Sequence, residues 1–472
     1  MSPRARPLGG CTQILQNEIC SAAEALRPPL YGPSSPTAQS GRIAVVRSAG
    51  VALGHMGGQE HRNPSRGLST QSKIGRPRYG AGVGRKDSLK GREMRSSAGT
   101  VVFVINSLTS GGAEHAVVEM LEYLEDYLRD YDVHLVLLDM EEEQHRVPPW
   151  VQKHVINANF SFFWSVICLR RLLKELSPAA TVSFLNRSNC ANVLSSKVLK
   201  YPCIISERTH PTTRFGKGLN AMITKTVMRF TYPYADQVIA VSEGVKQDLM
   251  ENFGVSQAKI RVVHNPINTD RIRERALEAP GTRVPRPYIV SSGRLVPSKN
   301  FRLLIESYYS SHVDESLVII GEGDERPELE RLVSRLGLSG RVILPGHMQN
   351  PYPIIGAACL FVSSSNLEGF PNALIEAMAL GCPVVATDCD TGPMEILTGT
   401  MGPRCTGVTL AEYGILVPVN SVDLLAEAIR IGCRGSVRAT YSERSRQRAQ
   451  DFGIRSAIDQ YWSIIASCAH PA

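Results

Sequence analysis

The stretch NLEGFPNALIEAMALG, residues Asn366 to Gly381, decides how the rest of the chain is read. It follows Cys359–Val362, a short apolar run of the kind that forms a strand buried on both faces of a parallel sheet. Pro371 suits a first helical position, and Gly381 suits the residue just past a helix end. The helix between them would turn its free backbone N–H groups toward the space beyond the strand, a ready site for a diphosphate. Glu368 stands before this helix and Glu376 inside it, where carboxylates can accept hydrogen bonds from sugar hydroxyls. Two glutamates alone would favour a capped surface helix with incidental acids, so the flanking segments have to decide.

Working outward, the chain alternates strand and helix. Val101–Leu108, Val133–Leu138, Thr181–Leu185, Cys203–Ser206, Gln237–Val241 and Arg261–His264 read as strands, with helices at Ala113 to about Leu128 and Ser165–Leu176. The segment Ala279–Pro287, dense in Pro and Arg, reads as a linker. A second set of strands follows at Tyr288–Ser291, Ser316–Ile320, Arg341–Leu344, Cys359–Val362 and Pro383–Ala386, and a last helix at about Ile454–Ala466. Repeated βαβ units call for an α/β architecture of two doubly wound sheets. The cleft between them, at the carboxyl ends of the strands, is where a ligand is expected.

Other segments carry chemistry toward that cleft. In GRLVPSKN, residues 293–300, Arg294 and Lys299 can reach one phosphate pair, Arg as a planar fork and Lys as a point charge. Ser110-Gly111-Gly112 sits between strand and helix, where glycines allow close backbone approach to a phosphate. Gly321-Glu322-Gly323 reads equally as a turn closing a βα unit or as a ligand contact. In SERTHP, residues 206–211, His210 is placed to touch a sugar or a phosphate, or to serve as an ordinary loop histidine. Asp388-Cys389-Asp390 imitates a D-x-D metal motif.

The order Ser-Gly-Gly-Ala-Glu, Gly-Arg-Leu-x-x-x-Lys-Asn and Glu-Gly-Phe-Pro-Asn-x-x-x-Glu-Ala resembles family 4 of the retaining glycosyltransferases, which have the GT-B fold. The resemblance runs from about Val101 to the C-terminus. The chain resembles in particular members that extend lipid-linked or polysaccharide glycans. It implies two Rossmann-like domains facing across a cleft: an acceptor domain at 99–280 with a crossover helix at 455–472, and a donor-nucleotide domain at 281–454. It implies that Glu368 contacts the donor sugar and Glu376 the ribose, that Arg294 and Lys299 bind the diphosphate, and that Gly111 and Gly112 form the N-lobe glycine loop. Gly369, Phe370, Pro371 and Asn372 complete the donor contacts, and His210 joins Glu368, Arg294 and Lys299 as a catalytic candidate. The donor expected is a nucleotide-diphosphate hexose or N-acetylhexosamine, with uridine diphosphate the first choice. No cofactor and no essential metal is implied. A dinucleotide-dependent enzyme would need G-x-G-x-x-G directly after the first strand, which Ser110-Gly111-Gly112-Ala113 does not supply. A non-catalytic sugar-nucleotide binder of the same fold is the remaining alternative.

The bulk numbers fit this reading. With 472 residues, 43% of them hydrophobic and 20% charged, two or three domains are expected. The net charge of +8 is concentrated at one end: residues 1–98 hold 15 Lys/Arg against 5 Asp/Glu, and the remainder is slightly acidic. The basic excess therefore argues for no nucleic-acid groove in the folded body. Residues 1–98, rich in Arg, Gly, Pro and Ser, read as an extension that is either disordered or upstream of a start at Met94, with a targeting segment as a third reading. The 11 cysteines form no C-x-x-C pair, as expected of reduced thiols in a cytoplasmic enzyme. FSFFWSVICLRRLLKEL, residues 160–176, reads as a sheet-covering helix or as one lying at a membrane interface. Arg208, Arg214, Lys217, Lys225 and Arg229 add positive charge suited to anionic headgroups or a lipid diphosphate. Peripheral contact with the cytoplasmic face of the inner membrane is the corresponding expectation.

Overall fold

Short runs of β-branched and aliphatic residues become strands because a sheet covered on both faces buries every side chain they carry. The computed structural model describes residues 98–109 and 111–469, so the expectation for residues 1–98 falls, except for Ala98, outside the described residues. Strands β1 (Thr100–Ile105), β2 (Asp132–Leu137), β3 (Gln152–Val155), β4 (Ala180–Phe184), β5 (Cys203–Glu207), β6 (Gln237–Ala240) and β7 (Ile260–Val262) form the first sheet. Its order is β3-β2-β1-β4-β5-β6-β7, with every pairing parallel. Val101 lies opposite Val133 on one side and Ala180 on the other, all three buried.

The second sheet holds β8 (Tyr288–Ser292), β9 (Ser316–Ile320), β10 (Val342–Gly346), β11 (Leu360–Ser363), β12 (Val384–Thr387), β13 (Thr409–Leu410) and β14 (Ile415–Val417). Its order is β10-β9-β8-β11-β12-β14-β13. The pairings are parallel except at the edge, where β13 runs antiparallel to β14. This is the expected GT-B architecture of two doubly wound Rossmann-like domains, with one antiparallel edge strand on the second sheet.

In each sheet the strand order reverses beside the first strand, between β1 and β4 and between β8 and β11. Loops leaving a sheet at such a switch point diverge to opposite faces and leave a crevice. The glycine loop follows β1, the Arg294 loop follows β8, and the Glu368 segment follows β11, so topology alone brings them to the crevices.

One apolar cluster covers one face of the first sheet and includes Ile458, Tyr461 and Ile465 of the last helix, Ile454–Ala469. A second covers one face of the second sheet. A third runs continuously from the remaining face of the first sheet, through Ile267, Ile272, Phe370 and Phe452, to that of the second. The two halves thus share apolar packing behind the cleft.

Candidate functional site

Loops hold the site together through backbone bonds. The Gly293 N–H donates to Ile320 O at 3.0 Å, Leu295 N–H to Glu322 O at 2.8 Å, and Glu325 N–H to Leu295 O at 3.0 Å. This stitching brings the loops after β8 and β9 so close that a Cβ at Gly321 would collide with the Gly293 carbonyl, and Gly321 also has φ +146°. Glycine meets both demands at once. The 321–323 turn is therefore built as the support of the Arg294 loop.

On this platform the 3-10 turn Pro297–Lys299 leads into Asn300, a left-handed residue whose side chain caps the helix Phe301–Ser311 by accepting from Leu303 N–H. The Asn366 N–H donates to Ser298 O at 2.8 Å, and Ser364 Oγ to Lys299 O at 2.9 Å. These bonds fix Glu368 beside Lys299. Lys299 Nζ donates to Glu368 Oε1 at 2.5 Å, and Ser365 Oγ donates to the same oxygen at 2.6 Å. Glu368 is mostly buried and Lys299 is about a quarter exposed. Arg294 is exposed at the rim.

The helix after Glu368 spans Asn372–Ala379, with Pro371 as its N-cap and no side chain capping its first N–H groups. Pro371 thus sits one position earlier than the first helical residue the sequence implies. The helix closes at Leu380, and Gly381 follows in the left-handed region. Glu376 lies on this helix at a pocket shared with His115, Glu119, Arg271, Arg275 and Tyr352. Burial pushes its carboxyl up to about 7, opposed by the charges of Arg275 and Lys299. Glu119, across the lobe boundary, is also pushed up to about 7 by burial, with the Glu376 charge adding to the shift. A buried and a half-buried carboxyl thus share this pocket with two arginines.

From the first half, Gly111 is the N-cap of the helix Gly112–Leu124 and Gly112 is exposed at its first position. Neither supplies a capping side chain; instead the Glu114 carboxylate folds back against Gly111 and bonds a backbone N–H of the first turn. Glu114, in the first turn, is raised by burial and pulled back down by Arg294 of the second half and by Arg214 and Arg208 of the first. The charges of both halves therefore meet at this helix start. Gly369 approaches the other wall, where a Cβ would collide with the Arg208 carbonyl.

The SERTHP loop divides into parts with different duties. Glu207 is buried and accepts from the N–H groups of Arg208 and Thr209 and from the Tyr232 hydroxyl, so it holds the loop's shape. Arg208 is buried and donates to the Tyr461 hydroxyl of the last helix at 3.0 Å. This corrects its placement among the surface cations, since a guanidinium packed beneath the loop cannot meet a headgroup. His210 caps the turn Pro211–Arg214, and its Nδ1 lies 2.6 Å from Thr213 Oγ1 and 3.4 Å from Asp248 Oδ2. Asp248 is itself fixed by Thr212, whose N–H donates to it at 3.0 Å. Asp388 and Asp390 both pair with Arg404, and Asp388 also accepts from Cys405 N–H. That geometry makes them the anchor of the 388–392 loop.

Sequence reasoning missed the residues that join the halves. His264 stacks on Phe370, ring centroids 4.7 Å apart, and its Nε2 lies 2.7 Å from Glu395 Oε1. Asn265 Nδ2 donates to Asn372 Oδ1 at 2.6 Å. No local spacing announces these pairs, because 107 positions separate Asn265 from Asn372. Asp248 and Tyr461 were equally hidden on helices with ordinary amphipathic patterns.

The chain is similar in sequence and fold to known proteins. Residues 110–271 match the family described as Glycosyltransferase Family 4, and residues 272–448 match Glycosyl transferases group 1. The chain is 30% identical over 361 residues to N-acetylgalactosamine-N,N'-diacetylbacillosaminyl-diphospho-undecaprenol 4-alpha-N-acetylgalactosaminyltransferase of Campylobacter jejuni, covering 74% of this chain and 94% of that one. It is 24% identical over 387 residues to a second Campylobacter jejuni protein, GalNAc-alpha-(1->4)-GalNAc-alpha-(1->3)-diNAcBac-PP-undecaprenol alpha-1,4-N-acetyl-D-galactosaminyltransferase, with 78% and 98% covered. Among solved structures, Anabaena HepE in complex with UDP-glucose superposes with a TM-score of 0.62 at 18% identity, covering 78% of this chain and 99% of that one.

Proposed function

Because the chain belongs to the GT-B-fold glycosyltransferases, joining a family 4 half to a group 1 half, we propose that it moves an N-acetylhexosamine or hexose from a uridine-diphosphate sugar to a lipid-diphosphate-linked or polysaccharide acceptor, with retention of anomeric configuration. The observation that carries this reading is the convergence of Lys299, Glu368, Glu376 and the open start of the helix Asn372–Ala379 at one switch point. The names of the two Campylobacter relatives, both N-acetylgalactosaminyltransferases acting on diphospho-undecaprenol-linked sugars, supply the donor and acceptor classes.

In the proposed reaction Glu376 accepts from the ribose hydroxyls and Glu368 from the transferred sugar. Lys299, which donates to Glu368, extends the same charge toward the diphosphate, joined by Arg294 and the helix N–H groups. The bond from the anomeric carbon to the β-phosphate oxygen breaks, and its electron pair leaves with the phosphate. The acceptor hydroxyl bonds to that carbon on the same face and passes its proton to the phosphate. The cationic groups stabilise the charge developing on the leaving oxygen. His210, steadied by Thr213 and Asp248, is proposed to meet the sugar or a phosphate from the first half.

The acceptor class also accounts for an apolar face on the first half. The helix Leu219–Thr231 buries only Met228 and Thr231, while Leu219, Met222, Ile223 and Phe230 are each more than half exposed. Phe163 and Trp164, at the start of the helix Phe162–Leu176, are exposed as well, and both helices pack against Asn186–Leu199. Later in that helix, Leu169 and Leu173 are buried, so its aromatic start and its sheet-covering body serve separately. Among the described residues no helix is long and apolar enough to cross a membrane. Our reading is that this face, with Arg214, Lys217 and Arg229 beside it, rests on an anionic membrane surface where the acceptor lipid resides.

The test is release of UDP from a panel of UDP-sugars, with and without a polyprenyl-diphosphate-linked saccharide. Acceptor-dependent release from a UDP-N-acetylhexosamine, giving an α-linked product from an α-linked donor, is expected. Binding of the nucleotide sugar without release under any acceptor would leave a binding protein in place of the enzyme.

A further inference from the structure

At the opposite end of the second sheet's strands from the Glu368 segment, three segments distant in sequence bring metal-ligating atoms together. Glu315 directly precedes β9, Cys359 directly precedes β11, and Cys433 is the C-cap of the helix Val422–Gly432. One carboxylate oxygen and two sulfurs lie within 4.8 Å of one another, the one such trio among the described residues. We propose that Glu315, Cys359 and Cys433 bind a divalent cation of the zinc class, with water as the fourth ligand.

The donor set fits that class. Two thiolates and a carboxylate suit a borderline-soft ion without geometric preference, and three protein ligands leave one tetrahedral position for solvent. With metal–sulfur bonds of about 2.3 Å, the sulfurs of a tetrahedral site stand roughly 3.8 Å apart, so the trio needs only small side-chain movements to close on an ion. Its scaffold is already fixed. Cys359 is buried, with Sγ 3.0 Å from the Tyr288 carbonyl, and the Glu315 carbonyl accepts from the Tyr308 hydroxyl at 2.6 Å. Cys433 and Glu315 are half-buried, which gives an ion a path from solvent. The site is separated from Glu368 by the length of β11, so the ion would pin helix to sheet and take no part in sugar transfer.

The experiment uses the reduced full-length chain. Cd(II) serves as a spectroscopic probe through its thiolate charge-transfer absorption, and Zn(II) uptake is followed by competition with a chromophoric chelator. One equivalent should bind, with the absorption appearing in step and the melting temperature rising with Zn(II). Cys433→Ser, at the half-exposed position, should abolish the absorption and the thermal shift while the circular dichroism spectrum stays native. Glu315→Gln should keep both sulfurs and weaken uptake by about tenfold or more. The proposal is overturned by full-strength absorption in Cys433→Ser, or by no absorption in the wild-type chain. A Cys359–Cys433 disulfide in the protein isolated without reductant, with no uptake after reduction, would overturn it equally.

Discussion

The role proposed for Lys299 rests on a single atom. Its Nζ is 2.5 Å from Glu368 Oε1, which also accepts from Ser365, so the carboxylate keeps one donor if the lysine is removed. Lys299→Ala should therefore leave the fold intact and cut turnover by roughly 10² to 10³, the loss expected when a donor to a developing oxyanion is deleted. Lys299→Arg should restore only part of that, because a planar fork does not replace a compact ammonium held against one oxygen. Near-native kinetics in the alanine variant would remove the phosphate role. Glu376 makes a second prediction at the same scale. Its folded pKa is raised from the ordinary carboxylate value to about 7, so the stability it contributes is greatest below the unfolded pKa and falls as pH rises through about 7. Hydroxyl recognition runs the other way, since only the carboxylate is a pure acceptor. UDP affinity measured by calorimetry should strengthen from about pH 6 to about pH 8, while the melting temperature declines. Glu376→Gln should flatten the affinity profile. If the slope survives there but vanishes in Glu119→Gln, the titrating group is Glu119.

At the scale of elements, close backbone approach makes two glycines into tests. Gly369 presses on the Arg208 carbonyl, which belongs to the other half, and backbone cannot swing aside as a side chain can. Gly369→Ala should hold the halves apart and lower turnover by roughly 10²-fold, with thermal stability little changed. Gly321→Ala combines a collision with the Gly293 carbonyl and a positive φ inside the second half, and should cost about 2 to 4 kcal/mol in chemical denaturation. If the two variants behaved alike, Gly369 would be a folding residue and not a closure residue. These elements also show what could be read in advance. The central strands announce themselves because burial on both faces demands uninterrupted apolar runs, as in Val101–Ile105 and Ser316–Ile320. Edge strand β3, Gln-Lys-His-Val, is exposed along most of its length and has no such run, and β13 is two residues long. Both are defined by pairing partners, which a local pattern does not contain. The same division holds in the site. Glu368, Lys299 and the helix start could be placed because strand, loop and helix are contiguous there, whereas Asp248, His264 and Tyr461 meet the site only through tertiary packing.

At the scale of the whole molecule, the proposed membrane contact rests on a difference between the two halves. The second half contains the carboxylates and cations suited to a water-soluble donor, and the first half exposes Leu219, Met222, Ile223, Phe230, Phe163 and Trp164 beside basic residues. Apolar side chains that exposed on a protein facing only water lower its solubility, and grouped beside cations they match the interior and the headgroups of an anionic bilayer. A membrane role separates kinetically from a catalytic one, because none of these residues borders Lys299 or Glu368. Replacing Met222, Ile223 and Phe230 together by serine should leave UDP release with a short-chain, water-soluble acceptor near the native rate. The same variant should raise the apparent KM for a polyprenyl-linked acceptor in anionic vesicles by about tenfold or more, since each deeply buried large side chain contributes on the order of 1.5–3 kcal/mol to partitioning. Cosedimentation with phosphatidylglycerol vesicles should fall in parallel, and in the native chain it should weaken as salt screens the Arg214, Lys217 and Arg229 charges. Equal loss on both acceptors would place these side chains in the fold's own stability, and vesicle binding unchanged by the triple substitution would place the membrane contact on another face.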